Sequence, residues 1–160
     1  SNQVLGNRQD YSLMGIVRRV LGNADISNLV FLIPGILVFG LPYLRIKQYK
    51  NLPFQLMILA STLLFIVLFS SGSESPTYII AVAGVMIWFI MQKEKSPLVI
   101  SLLIFVIILT CFSFSDLFPK FVKENYIMKY SLKALPCCIV WFRVIYELMT
   151  KDFQKEYQLD

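Results

Sequence analysis

Histidine is absent from all 160 residues. That excludes His-activated nucleophiles, the HExxH zinc site and haem ligation by His. Charge is scarce, at 16% of positions, and is missing altogether from Phe54 to Ser73 and from Pro97 to Ser115. A water-soluble domain would lose solubility by such gaps, whereas a bilayer span does not. Cysteine occurs three times, with Cys111 inside one apolar run and the neighbours Cys137 and Cys138 inside another. Free, buried thiols are the expectation, without a metal or redox role. No glycine-rich phosphate loop of either common kind occurs, so no nucleotide cofactor is implied. No charged leader, apolar stretch and cleavage site follow one another near Ser1, so no signal peptide is read there.

What fills the chain instead is apolar: 57% of positions, gathered into runs at Asn28 to Leu44, Phe54 to Ser71, Thr77 to Met91, Leu98 to Phe114 and Ala134 to Met149. A hydrocarbon core of about 30 Å takes roughly 20 helical residues, or a few fewer with interfacial flanks. The fold class expected is therefore an all-α membrane protein. It has about five transmembrane helices, near 28–44, 54–71, 76–92, 98–114 and 134–149, in one bundle over residues 26–160. Pro34 and Pro42 predict a kink or break in the first run, since each removes a backbone donor and crowds the preceding turn. The third run is short for a span. Either it starts at Pro76 with Ser75 as cap, or the turn before it sits below the membrane surface.

Residues 1–25 form a separate interfacial segment. Leu13, Ile16, Val17 and Val20 make one helical stripe, with Ser12, Gly15, Arg18 and Arg19 toward the other side. Asp10 can cap this amphipathic helix and Gly22 with Asn23 can end it. A basic amphipathic helix beside a span usually lies in the membrane interface. The connection from Ser115 to Lys133 mixes four lysines with Phe118, Phe121, Tyr126 and Tyr130, the composition of a segment on the bilayer surface.

The net charge of +5 is not a nucleic-acid signal, because the cations flank apolar runs, where they anchor helices and meet anionic membrane lipids. Apart from Arg143 in the fifth run, lysines and arginines divide seven and seven between the two sides of the predicted bundle. The short loops break the tie, since Arg45, Lys47 and Lys50 oppose a serine-rich turn without cations, which puts the Arg45 loop on the cytoplasmic side. Cations on the outer side then call for an anionic ligand, such as a lipid phosphate.

Two constellations carry chemistry. Ser70, Ser71, Ser73, Ser75, Thr77 and Tyr78 surround Glu74 at the predicted start of the third helix. Hydroxyls and a carboxylate suit a sugar, and a helix start suits a phosphate; the plainer reading is a solvated hairpin with Glu74 at the positive helix end. Arg18 and Arg19 supply guanidinium groups that clamp a phosphate better than lysine, although adjacent arginines at a membrane often only touch headgroups. Ala81, Ala83 and Gly84 are read as helix packing. Arg143 and Glu147, one turn apart, are read as a structural pair that snorkels near a helix end.

The stretch Gly6-Asn7-Arg8-Gln9-Asp10-Tyr11-Ser12-Leu13-Met14-Gly15-Ile16-Val17-Arg18-Arg19 resembles the Asn-Gln-Ser-Leu-x-Gly-x-x-x-Arg region of the glycosyltransferase 87 family. Two apolar runs later, Ser73-Glu74-Ser75-Pro76-Thr77-Tyr78 is similar to that family's Ser-Pro-x-x-Trp motif. The resemblance implies the C-terminal helical bundle of a longer enzyme of the bacterial inner membrane. Such an enzyme moves a hexose, mannose first among the expectations, from a polyprenyl-phosphate donor to a hydroxyl of a glycan or glycolipid acceptor. It implies Arg18 and Arg19 at the donor phosphate and Gln9, Ser12, Ser73, Glu74, Ser75 and Tyr78 as sugar-site or motif residues. The catalytic base would precede Ser1, so this segment alone would be inactive. Two departures stand beside the match: the histidines usual after the Ser-Pro motif are missing, and extra residues separate Asn7 and Gln9 from Ser12. A transporter or flippase fragment for lipid-linked glycans, and a polysaccharide polymerase, remain as alternatives of other classes.

Overall fold

A computed structural model describes Ser27 and residues 29–70, 77–111 and 134–156, and within these the chain is all-helical, with no strand. Helix α1 spans Leu29–Gly40 and leads through two 3-10 turns, Leu41–Leu44 and Ile46–Gln48, into α2, Leu52–Phe69. Then come α3, Tyr78–Ile90, and α4, Pro97–Val106, whose last stretch Ile107–Cys111 winds as a π-helix; α5, Ala134–Thr150, and the single turn α6, Phe153–Glu156, complete the described part.

Two of the starts have a local cause. Pro53 and Pro97 lie in first turns, where the missing N–H costs nothing, and the Ser96 hydroxyl accepts from the Val99 N–H at 3.4 Å to cap α4. In the first run only one of the two prolines interrupts the helix. Pro34 lies inside α1, and α-helical winding gives way at Gly40, just before Pro42 in the tighter 3-10 turn. The third helix begins at Tyr78 after Thr77, later than the Pro76 start expected; residues 71–76 lie outside the described ones.

Helix α2 is the centre. It packs most extensively on α3 and next on α5, with α1 on a further side. The α2–α3 approach is close because Gly84 has no side chain: a Cβ there would lie 2.9 Å from the Ala60 carbonyl oxygen. Ala81 is buried in the same contact, but Ala83 is exposed, so the packing expected of it is not made within the described residues. Phe39 stacks on Phe65 at 4.6 Å and Phe65 on Phe69 at 4.7 Å, and Trp141 meets Phe69 edge-on at 5.3 Å, tying α1, α2 and α5 together. Midway along the bundle the Trp141 indole N–H donates to the Ser61 hydroxyl at 3.2 Å.

The outside is apolar as well. Leu37, Leu44, Ile46, Ile66, Ile79, Ile90 and Phe142 are among the large side chains left exposed, far more than scattered surface residues account for. By length and composition, α2 is the one described helix able to cross a membrane, whereas α1, α3 and α4 are shorter apolar helices. Five full-length spans were expected; the helices stand where the runs predict them, but most are cut short by 3-10, π or turn geometry at their ends.

Candidate functional site

Antiparallel succession of α1 to α5 brings the 45–51 connection, the 91–96 turn and the end of α5 to one end of the bundle. Every charged residue among the described ones belongs to the segments 45–50, 93–95 and 143–156, eight cations and four anions, a local net charge of +4. Leu29, Ser70, Thr77, Cys111 and Ala134 lie at the opposite end, where no described residue is charged.

Glu147 is the hub of the charged end. Only 1% exposed, it would be costly there without partners, and it has three. Arg143, one turn earlier on α5, donates from Nε to Oε1 at 2.9 Å. Gln92, which ends the third apolar run, donates from Nε2 to Oε2 at 2.6 Å, and the Lys151 ammonium stands 3.5 Å from the same oxygen. Lys151 also donates to Gln92 Oε1 at 3.3 Å, closing a triangle between α5 and the turn after α3. The pairing of Arg143 with Glu147 expected from spacing is present. Snorkelling is not common to both, however, since Arg143 is 41% exposed while its carboxylate partner is sealed in.

Around this hub, cations and amides satisfy helix ends. The last carbonyls of a helix lack intrahelical donors and carry partial negative charge. At the end of α5, Arg45 Nη1 fills that need, donating to the Leu148 oxygen at 2.6 Å and the Lys151 oxygen at 2.8 Å. Lys95 does the same after α3, donating to the Phe89 and Gln92 oxygens and standing over the Phe89 ring. Gln48 donates to Asp152 at 2.9 Å and accepts from Asn51 at 2.9 Å, so the connection after α1 is braced within itself and held to the segment after α5.

Chemically this arrangement is a clamp. Both Glu147 oxygens are taken up by donors, so neither is open to a substrate group. Its effect is to fix three chain segments in one geometry. Sequence reasoning found the Arg143–Glu147 half of it and missed Gln92 and Arg45. The signal available was slight: Gln92 is the polar residue closing an otherwise apolar run, and Arg45 the first cation after another.

Of the site residues expected from sequence, Gln9, Ser12, Arg18, Arg19, Ser73, Glu74 and Ser75 lie outside the described residues. Tyr78 is described. It opens α3 at the uncharged end and is 2% exposed, packed into the core. Cys137 and Cys138 are free and buried, as expected, with the Cys137 sulfur 3.7 Å from the Thr110 hydroxyl; the side chain of Cys111 is outside the description. Among the described residues no cluster of Cys, Asp and Glu is placed to hold a metal ion. No family model, curated protein or solved structure matches this chain.

Proposed function

We propose that this chain is a multi-pass membrane bundle and the C-terminal part of a glycosyltransferase that uses a polyprenyl-phosphate hexose at the extracytoplasmic face of a bacterial inner membrane. The observation that carries the membrane part is the distribution of polarity. An exterior of exposed Leu, Ile and Phe side chains surrounds a bundle whose described charges all gather at one end, the pattern a bilayer selects by solvating tails and headgroups separately. Helices shorter than the hydrocarbon thickness fit this reading through flanking aromatic and basic residues and local thinning.

The same distribution favours the enzyme over the transporter. Ion-coupled carriers place charged or broken-helix sites near the membrane midplane. Here the buried polar side chain midway along the described bundle, Ser61, is neutral and already bonded. The glycosyltransferase reading itself rests on the Gln9 to Arg19 and Ser73 to Tyr78 motifs, the latter between Ser70 and the body of α3 at the end free of described charge.

In the reaction, an acceptor hydroxyl oxygen attacks the anomeric carbon and the bond from that carbon to the phosphate oxygen breaks. The phosphate departs with the electron pair, and the hydroxyl proton passes to a base that lies upstream of Ser1. Arg18 and Arg19 hold the departing phosphate, and Glu74 with Ser73 and Ser75 positions the sugar. The test is transfer by the full-length protein from a polyprenyl-phosphate sugar. Arg19→Ala is expected to weaken donor use by roughly 1.5 to 3 kcal/mol, and Glu74→Gln to reduce transfer with expression preserved. Normal kinetics for both variants would sink the assignment of the site. Turnover by this segment alone would mean the catalytic base has been misplaced.

A further inference from the structure

The outer face of α5 is apolar or aromatic along Leu135, Ile139, Phe142 and Tyr146, and one cation borders it, Arg143. A guanidinium on a lipid-facing stripe is costly unless its head reaches polar headgroups. Helical side chains lean toward the N-terminus by default, which would carry this one inward, away from the charged end. Instead Arg143 reaches forward, because its Nε is held by Glu147 four residues later. That pairing consumes Nε alone. Neither terminal nitrogen, Nη1 or Nη2, has a partner among the described residues, and the guanidinium stands over the Tyr146 ring, 5.6 Å from its centre. Tyr146 is itself 58% exposed, and its hydroxyl meets no described partner.

We infer that Arg143 and Tyr146 form a seat for the phosphate of an anionic phospholipid in the leaflet facing the charged end. The inference rests on the membrane reading above. A phosphodiester accepts paired hydrogen bonds from the outer edge of a guanidinium, and a phenol alongside donates a third. Glu147 fixes the fork beforehand, so little side-chain freedom is lost on binding. Its oxygens are occupied by Arg143, Gln92 and Lys151, which shields the incoming phosphate from the carboxylate charge. The local excess of four positive charges draws anionic rather than zwitterionic lipid to this end.

The experiment is native mass spectrometry of the full-length protein in mild detergent, titrated with phosphatidylglycerol or with phosphatidylcholine. Ammonium acetate at about 0.5 M screens diffuse attraction, and a parallel arm contains inorganic phosphate. Phosphatidylglycerol is expected to be retained over phosphatidylcholine. Arg143→Gln is expected to retain about fivefold less of it, the weight of one cation at an anionic surface. Tyr146→Phe, which leaves the Glu147 clamp untouched, is expected to retain about threefold less, the weight of one hydrogen bond. Lys155→Gln, on the exposed turn beyond α5, is expected to match the parent. Equal losses in Lys155→Gln and Arg143→Gln would reduce the effect to diffuse charge and overturn the seat. Competition by inorganic phosphate at millimolar levels would overturn the assignment to lipid. Failure of the parent protein to float with vesicles of either lipid would instead overturn the membrane reading, and the seat with it.

Discussion

The two ends of this bundle are built from different physics. At the charged end, Arg45, Gln92, Glu147 and Lys151 join the connection after α1, the turn after α3 and the close of α5 through charge-assisted hydrogen bonds. At the other, no described residue is charged: Tyr78 and Ala134 are buried in the apolar core, and the Thr110 and Cys137 contact joins neutral groups. The two ends differ in the kind of group that meets there, ionised side chains at one and neutral ones at the other, so removing a partner leaves a buried charge unmatched only at the first.

A gradient of substitution costs along the bundle axis would sharpen the contrast, and a flat profile would break it. Heating in detergent with a thiol-reactive fluorophore gives the measurement, since Cys137 and Cys138 are buried and react as the fold opens. Glu147→Ala should cost the most, about 3 kcal/mol, because buried Gln92 and the partly covered Arg143 and Lys151 lose their shared acceptor. A cost under about 1 kcal/mol would mean the clamp contributes little. Arg45→Met, keeping the length of the stem, should cost about 2 kcal/mol by leaving two carbonyls at the end of α5 without their donor.

Midway, Ser61→Ala removes the acceptor of the Trp141 indole and should cost about 1 kcal/mol. If Ser61→Ala cost as much as Arg45→Met, the profile would be flat and the comparison would fail.

Orientation can be tested independently. In a cysteine-free background, single cysteines at Ser73 and Asn125 are expected to react with an impermeant thiol reagent from outside, and one at Lys47 to be protected. Lys47 is the suitable position in the Arg45 loop because it is exposed. Gln48 beside it is buried against Asp152 and would stay unlabelled on either side. Labelling at Lys47 with silence at Ser73 would invert the bundle.

Much of the fold was legible before any coordinates. Helices α1 to α5 start within about two residues of the apolar runs, and Arg143 with Glu147 pairs at the i, i+4 spacing that local geometry dictates. Where legibility failed, the cause was competition between local signals or a partner too distant in sequence. Pro34 and Pro42 read alike, yet only the helix beside Pro42 gives way; Pro34 removes a donor inside α1 without ending it, and no local signal separates the two. Ala83 fits a small-residue stripe by composition but faces outward, because one helix turn cannot bury every small side chain on the same neighbour.

By itself the sequence determines that the described chain is helical, roughly where its helices lie, that Cys137 and Cys138 are free and that its described charges cluster in a few short segments. These follow from periodicity, proline, capping and spacing within about one helical turn. Only the tertiary structure decides that those segments meet. Gln92 reaches Glu147 across 55 residues and Arg45 reaches Leu148 across 103. Such bonds depend on which helices pack and in what register, and Gly84 against Ala60 sets part of that by letting α2 and α3 approach closely. The energy of a buried charge lies in its partners rather than its own position in the chain, so it becomes readable only once the helices have been brought together.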